Sequence, residues 1–293
     1  MSQSVVKYHA LGNDYLVLEA GVAPTPVQVQ LLCDRHRGIG SDGVLFLDSS
    51  KRVEPFELRI FNPDGGEAER SGNGLRIFAQ YLRDAGYAGR ESVRIRILAG
   101  DVQARFLQGA IEVDMGVPDF RAGALPFLGL AAHQEFVSQV LDVEGQQLIV
   151  TGLSLGNPHV VILLPGSVDF EHQEALARHW GHLLERDPRF PQGVNVEVVQ
   201  MLDEHTLKVH IWERGAGYTQ ASGSGATASA AAARRLALVG DHVQVEMPGG
   251  VLDIDFGAGG RAQLRGPVQR VFTASLDAAW LQALRSDPKM EIP

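Results

Sequence analysis

Two blocks of this chain occur twice, in the same order and at similar spacing. HALGNDYLVLEA (residues 9–20) matches LSLGNPHVVILL (residues 153–164): each has LGN, two further residues, then an apolar run. Further on, RIFNPDGGEAERSGNG (residues 59–74) lies against HIWERGAGYTQASGSG (residues 210–225). This pairs Phe61 with Trp212, Asn62 with Glu213, Gly66 with Gly217 and Ser71 with Ser222. A flexible linker has no reason to be duplicated with a strand before it and a helix after it. The repeat therefore predicts two related halves, each with a helix that starts at an SGxG loop.

Local patterning fills in the halves. SVRIRI, TLKVHI and HVQVEM alternate apolar and polar residues, so each reads as a strand with one wet face, which suits antiparallel sheets. LRIFAQYLRDAG places Leu75, Phe78, Ala79 and Leu82 at helical spacing before Gly86, and EALARHWGHLL puts Leu176, Trp180, Leu183 and Leu184 on one face. ATASAAAARRLALVG is small and apolar on every side up to Arg234 and is read to end at Gly240; a helix with no wet face is buried. The predicted class is α+β, with two pseudo-symmetric halves, each an antiparallel β-barrel-like sheet around one buried helix. Clustered Gly and Pro in GVPDFRAG place the join near residues 116–123. The halves are then 1–117 and 118–266, with 267–293 returning to complete the first.

At 293 residues, 45% hydrophobic and 21% charged, the chain can bury a real core. Its net charge of −9 argues against a nucleic-acid or acidic-membrane binder and fits a small-molecule partner. One cysteine, Cys33, excludes an intrachain disulfide and a thiolate metal cluster, and reads as a buried or half-buried thiol on a short helix. The N-terminal MSQSVVKYHALG has no apolar signal core, and HVVILL is too short to span a bilayer. A cytoplasmic address is the default expectation.

A helix N-terminus carries N–H groups without intrahelical acceptors and a partial positive charge, so it attracts anions. If the two SGxG helices face one cleft, Ser71 and Ser222 sit on opposite sides of a bound carboxylate. Two opposed groups can reach the two faces of the carbon beside it, one taking the α-proton and the other supplying one. That arrangement suits racemisation or epimerisation, and it needs no cofactor.

The motifs HALGNDY, HRGIGSDG, FNPDGGEAERSGNG, LGNPHVV, GVN and WERGAGYTQASGSGA together resemble the diaminopimelate epimerase family over nearly the whole chain. The resemblance implies two α+β halves, each a barrel around a central helix, a cofactor-independent amino-acid epimerase of lysine and cell-wall precursor synthesis, and frequent homodimers. The family's catalytic pair is two cysteines, and Ser71 and Ser222 stand in their places here. The family often has Glu at the position of Tyr218 and a further Cys at that of Thr227, and these differences point to natural divergence more than to an engineered double replacement. By resemblance, Asn13, Asn62, Asn157 and Asn195 hold the substrate's polar groups. Gly72 with Asn73, and Gly223 with Ser224, offer backbone N–H groups to its α-carboxylate. Glu213 and Arg214 match the substrate-binding pair, and His159 and Glu213 the residues that tune the catalytic pair. Some members carry Gln at the position of Gly43, a contact not carried over.

Plainer roles stand beside these. Asn13, Asn157 and Asp64 read as turn residues, and His159, taken alone, as a hydrogen-bonded structural histidine; beside Glu213 and Ser222 it is read as a cleft position. Three functions follow. The first is a slow or altered epimerase using Ser71 and Ser222, assisted by His159 and Glu213. The second is an isomerase or dehydratase of another small carboxylate, run by Glu213 and His159. The third is a non-catalytic amino-acid binder.

Overall fold

The computed structural model describes residues 3–166 and 169–277. Residues up to Val113 and those from Pro267 onward form one unit, and Asp114–Gly266 a second. Of the stretch expected to complete the first half, residues 278–293 lie outside the described residues.

The first unit runs β1 (Gln3–Ala10), β2 (Asn13–Ala20), α1 (Pro26–Cys33), β3 (Val44–Asp48), β4 (Phe56–Phe61), β5 (Glu67–Ala68), α2 (Gly72–Asp84), β6 (Ser92–Ile97) and β7 (Gly100–Phe106). The boundary falls within β8 (Ile111–Gly116). The second unit continues with β9 (Gln139–Val143), β10 (Gln146–Ser154), β11 (Pro158–Leu163), α3 (Phe170–Glu185), β12 (Asn195–Met201), β13 (Thr206–Glu213) and β14 (Gly217–Thr219). It ends with α4 (Gly223–Arg235), β15 (His242–Met247), β16 (Gly250–Phe256) and β17 (Ala262–Gly266), after which β18 (Gln269–Leu276) rejoins the first unit.

The units follow one plan. In the first, β1 pairs antiparallel with β2, β3 with β4, β4 with β5 and β6 with β7. In the second, β10 pairs antiparallel with β11, β12 with β13, β13 with β14 and β15 with β16. The sheets are nevertheless mixed, not antiparallel throughout. β2 and β3 run parallel, as do β4 and β6, β11 and β12, and β13 and β15. Each parallel pair is joined through a helix, because parallel neighbours need a crossover. Alternation reports which face of a strand is wet and carries no information on direction.

α2 buries Leu75, Ile77, Phe78 and Leu82, whereas α4 is buried from Gly223 to Ala233 with nothing larger than threonine. Both end in the same 6→1 turn. Tyr87 N–H donates to Leu82 O at 2.8 Å around Gly86, and Leu238 N–H to Ala233 O at 3.0 Å around Ala237. Gly86 and Ala237 both take positive φ, 74° and 56°. Ala237 takes the turn conformation usually left to glycine, so α4 stops at Arg235, short of the expected Gly240. Cys33 is buried at the end of α1 as expected, and burial pushes its thiol up to about 11. Among the described residues no helix is long and apolar enough to cross a membrane.

His210 on β13 is a buried titratable group outside the site. Its Nδ1 lies 2.8 Å from the Tyr218 hydroxyl and its ring meets Phe170 edge-on. Burial pushes its protonation down to about 4, with Lys208 and Arg178 acting in the same direction against Glu174. The unfolded chain binds a proton near pH 6.5 that the folded chain refuses until about 4. Stability is therefore lost as pH falls through that window, by up to about 1.4 kcal/mol per pH unit. Urea unfolding of His210→Gln between pH 7 and 4 should show a shallower loss than the wild type.

Candidate active site

In the first unit Ser71 caps α2. Its backbone is extended (φ −142°, ψ 117°) and its Oγ accepts the Gly74 N–H at 3.0 Å, satisfying one first-turn donor. Gly72 and Asn73 occupy that first turn. The Tyr15 hydroxyl lies 3.2 Å from Ser71 Oγ.

Asn13 and Asn73 meet directly, Asn73 Nδ2 donating to Asn13 Oδ1 at 3.0 Å. Arg76 Nη2 donates to Asn73 Oδ1 at 2.7 Å, and Asn13 Nδ2 donates to Asp42 Oδ2 at 2.9 Å. The guanidinium can only donate and the carboxylate can only accept, so both ends of the chain impose the same orientation on both amides. Arg35 bridges Asp42 and Asp14 at 2.7 Å each, and Lys7 lies 2.6 Å from Asp14. Burial raises the Asp14 carboxyl, but hydrogen bonds from Arg35 and Lys7 outweigh it and hold it below the ordinary carboxylate range. Burial, together with the adjacent Asp14 charge, pushes Asp42 up despite a backbone hydrogen bond. Asn62 closes the turn after β4 through its backbone, its N–H donating to Gly66 O at 2.8 Å. Asp64 caps that turn at Gly66 N–H, the plain turn role expected of it.

The second unit repeats the cap. Ser222 is extended (φ −134°, ψ 127°), its Oγ accepts the Gly225 N–H at 3.2 Å, and Ser224 Oγ stands 3.5 Å away. Asn157 Nδ2 reaches Ser224 Oγ at 3.4 Å. Asn195 bridges two segments, donating to Pro158 O at 2.7 Å and accepting the Arg214 N–H at 2.9 Å. Glu213 and Arg214 sit where β13 turns into β14. Glu185 clamps that turn, accepting from Trp212 Nε1 and from Gly215 N–H at 2.7 Å each.

His159 is paired across the parallel β11–β12 ladder with Asn195. It is fully buried. Its Nδ1 lies 2.7 Å from Oε1 of Glu197, also fully buried. Neither His159 Nε2 nor Glu197 Oε2 has a hydrogen-bond partner among the described residues. Burial pushes the Glu197 carboxyl up against the pull of His159, and the Glu213 charge adds to the push. Glu197 also touches the loop, since a Cβ at Gly225 would lie 3.1 Å from its Oε1.

The structure thus joins Asn13, Asn73 and Ser71 around the start of α2, and Ser222, Ser224 and Asn157 around the start of α4. Asn195, Arg214 and His159 line the adjoining strand ends. The sequence reading missed Tyr15, Glu197 and Arg76. One signal was available: Glu197 interrupts VNVEVV, and a carboxylate in a strand without a wet face needs a partner. No cluster of His, Cys, Asp or Glu among the described residues could hold a metal ion.

Comparison with known proteins decides the family. The model of the diaminopimelate epimerase family matches residues 5–121 and 152–271. The chain belongs to the diaminopimelate epimerase family. Diaminopimelate epimerase 2 of a Nostoc species is 40% identical, with 83% of this chain and 85% of the relative covered. The diaminopimelate epimerase of a Synechocystis species is 39% identical over 94% of this chain and 100% of the relative. Two solved structures share the fold at low identity. A probable proline racemase from Agrobacterium radiobacter gives a TM-score of 0.67 at 16% identity, covering 94% of this chain and 93% of that one. A PhzF-family phenazine biosynthesis protein from Bacillus anthracis gives 0.65 at 18%, covering 94% and 99%. In this diaminopimelate epimerase family member, both loops at the helix starts keep one backbone form and present a hydroxyl.

Proposed function

We propose that this protein is a cofactor-independent amino-acid epimerase that interconverts LL- and meso-diaminopimelate, with Ser71 and Ser222 as its proton-transferring pair. The duplicated cap carries this reading. Two serines, one per unit, share extended backbone angles and bond the N–H three residues on. Inversion at the α-carbon needs one group to take a proton from one face and another to deliver a proton to the other. The first-turn N–H groups at Gly72 and Asn73, and at Gly223 and Ser224, suit an α-carboxylate on which charge builds as the proton leaves.

Asn13, Asn62, Asn157, Asn195, Glu213 and Arg214 hold the amino acid's remaining polar groups. Glu213 bears electrostatically on the buried Glu197–His159 pair, so the charge state at the β13 turn reaches His159 through Glu197. A cytoplasmic, homodimeric enzyme belongs to the same reading; fractionation and sedimentation check those two points.

The test is α-proton exchange. Wild-type protein incubated with LL- or meso-diaminopimelate in deuterated water should lose the α-proton signal by NMR. Ser71→Ala and Ser222→Ala should each cut the rate by about 10²-fold or more, the usual worth of a positioned acid or base. Exchange untouched by both substitutions would remove the serines from the mechanism. A silent wild type would remove diaminopimelate as substrate and favour another small carboxylate.

A further inference from the structure

Serine alone makes this chemistry slow, and the size of the shortfall can be stated. An alkyl hydroxyl ionises about as reluctantly as water, far more reluctantly than a thiol, which does so at about 8.5. The gap is about 10 kcal/mol. A helix N-terminus offsets up to about 2 kcal/mol of that. A better acid within reach of the hydroxyl would close much of the rest.

The first unit has one. The Tyr15 hydroxyl stands 3.2 Å from Ser71 Oγ. The side chain is held in place, since Tyr15 is only 6% exposed. Its ring lies against Gly43, where a Cβ would come within 2.6 Å of Tyr15 Cε1. A side chain at position 43 and this ring position exclude each other. Ser71 Oγ already accepts the Gly74 N–H, which leaves its own proton and a second lone pair for exchange with the phenol. The second unit differs. Ser222 Oγ has Gly225 N–H and Ser224 Oγ beside it, and neither is an acid of phenol strength.

Resting on the epimerase reading above, we propose that Tyr15 is the proton store for Ser71, acting through the serine hydroxyl. In the deprotonating direction Ser71 Oγ takes the proton from the α-carbon as its own proton passes to the Tyr15 phenolate. The products are a carbanion, a neutral serine and a neutral tyrosine. In the protonating direction Ser71 gives its proton to the carbanion and regains one from the Tyr15 hydroxyl, which becomes phenolate. Each step moves two protons, one between carbon and Ser71 Oγ and one along the Ser71–Tyr15 hydrogen bond, and leaves no alkoxide at Ser71. Deprotonation draws on the phenolate form, so its rate should rise with pH.

The experiment compares wild type with Tyr15→Phe on LL- and meso-diaminopimelate, from pH 7 to 10.5, by exchange in deuterated water. The substitution keeps the ring against Gly43 and the Ser71 cap. Expected are a fall in kcat of at least about tenfold at pH 9, a nearly unchanged KM, and loss of the alkaline rise. Adding Ser71→Cys to Tyr15→Phe should restore the rate, because a thiol needs no phenol to ionise. An active wild type with an unaffected Tyr15→Phe would overturn the role of Tyr15 and leave the epimerase reading standing. A uniform loss at all pH values that Ser71→Cys fails to rescue would make Tyr15 structural and overturn it equally. A wild type silent on both substrates would overturn both.

Discussion

The Ser71→Cys/Ser222→Cys double variant is expected to exchange the α-proton of diaminopimelate about 10³-fold faster than the wild type. Thiol and hydroxyl differ by about 10 kcal/mol in ionisation, but proton transfer expresses only part of such a difference, and a positioned acid–base group is typically worth 10²–10⁴. Both positions head a helix, where the partial positive charge lowers a thiol's pKa further. Sulfur is the weaker acceptor for the Gly74 and Gly225 N–H groups, so each replacement weakens a cap that the serine oxygen now makes at 3.0 and 3.2 Å. A loss of about 1 kcal/mol per cap should accompany the gain in rate. NMR exchange rates and urea melts on the same samples read both effects. A double variant no faster than the wild type would show that the thiol–hydroxyl gap does not limit the reaction.

Glu197→Ala is expected to cost about 1–3 kcal/mol of stability, the usual penalty for leaving a buried hydrogen-bonding group without its partner. Its partner His159 is fully enclosed, with its Nδ1 2.7 Å from Glu197 Oε1. His159→Ala should lose a similar amount by stranding the Glu197 carboxyl. The double replacement should lose much less than the sum, because no buried polar group is then left without its partner. Urea denaturation of the four proteins gives the coupling energy directly. Additive losses would mean that the two side chains are supported by other groups and do not depend on each other.

The duplicated motifs, the helix starts and the place of Cys33 were legible because each is encoded within a few residues. An SGxG after a strand specifies a cap through local geometry, and both caps form as that reading expects. Strand direction was not legible, since alternation in SVRIRI or HVQVEM is the same for either neighbour orientation. The end of α4 was misplaced because Ala237 adopts the backbone form usually left to glycine. Tyr15 and Ser71 are 56 residues apart, and Asn13 and Asp42 are 29 apart. Such pairings arise only once β2, β3 and the start of α2 are stacked, so no local pattern announces them. Glu197 left a trace, a carboxylate inside an apolar strand, without naming its partner.

The return of β18 to pair with β1 has a consequence for the order in which the protein can be made. β1 is flanked by β2 on one side and β18 on the other, yet β18 follows the entire second unit in sequence. While the ribosome is still working through that unit, β1 has one unpaired edge. The second unit, Asp114–Gly266, is contiguous and can fold as it emerges, so the half translated first is the half finished last. An open strand edge invites pairing with other chains. The nascent first half therefore depends on elongation speed and on holding factors in a way that the second half does not.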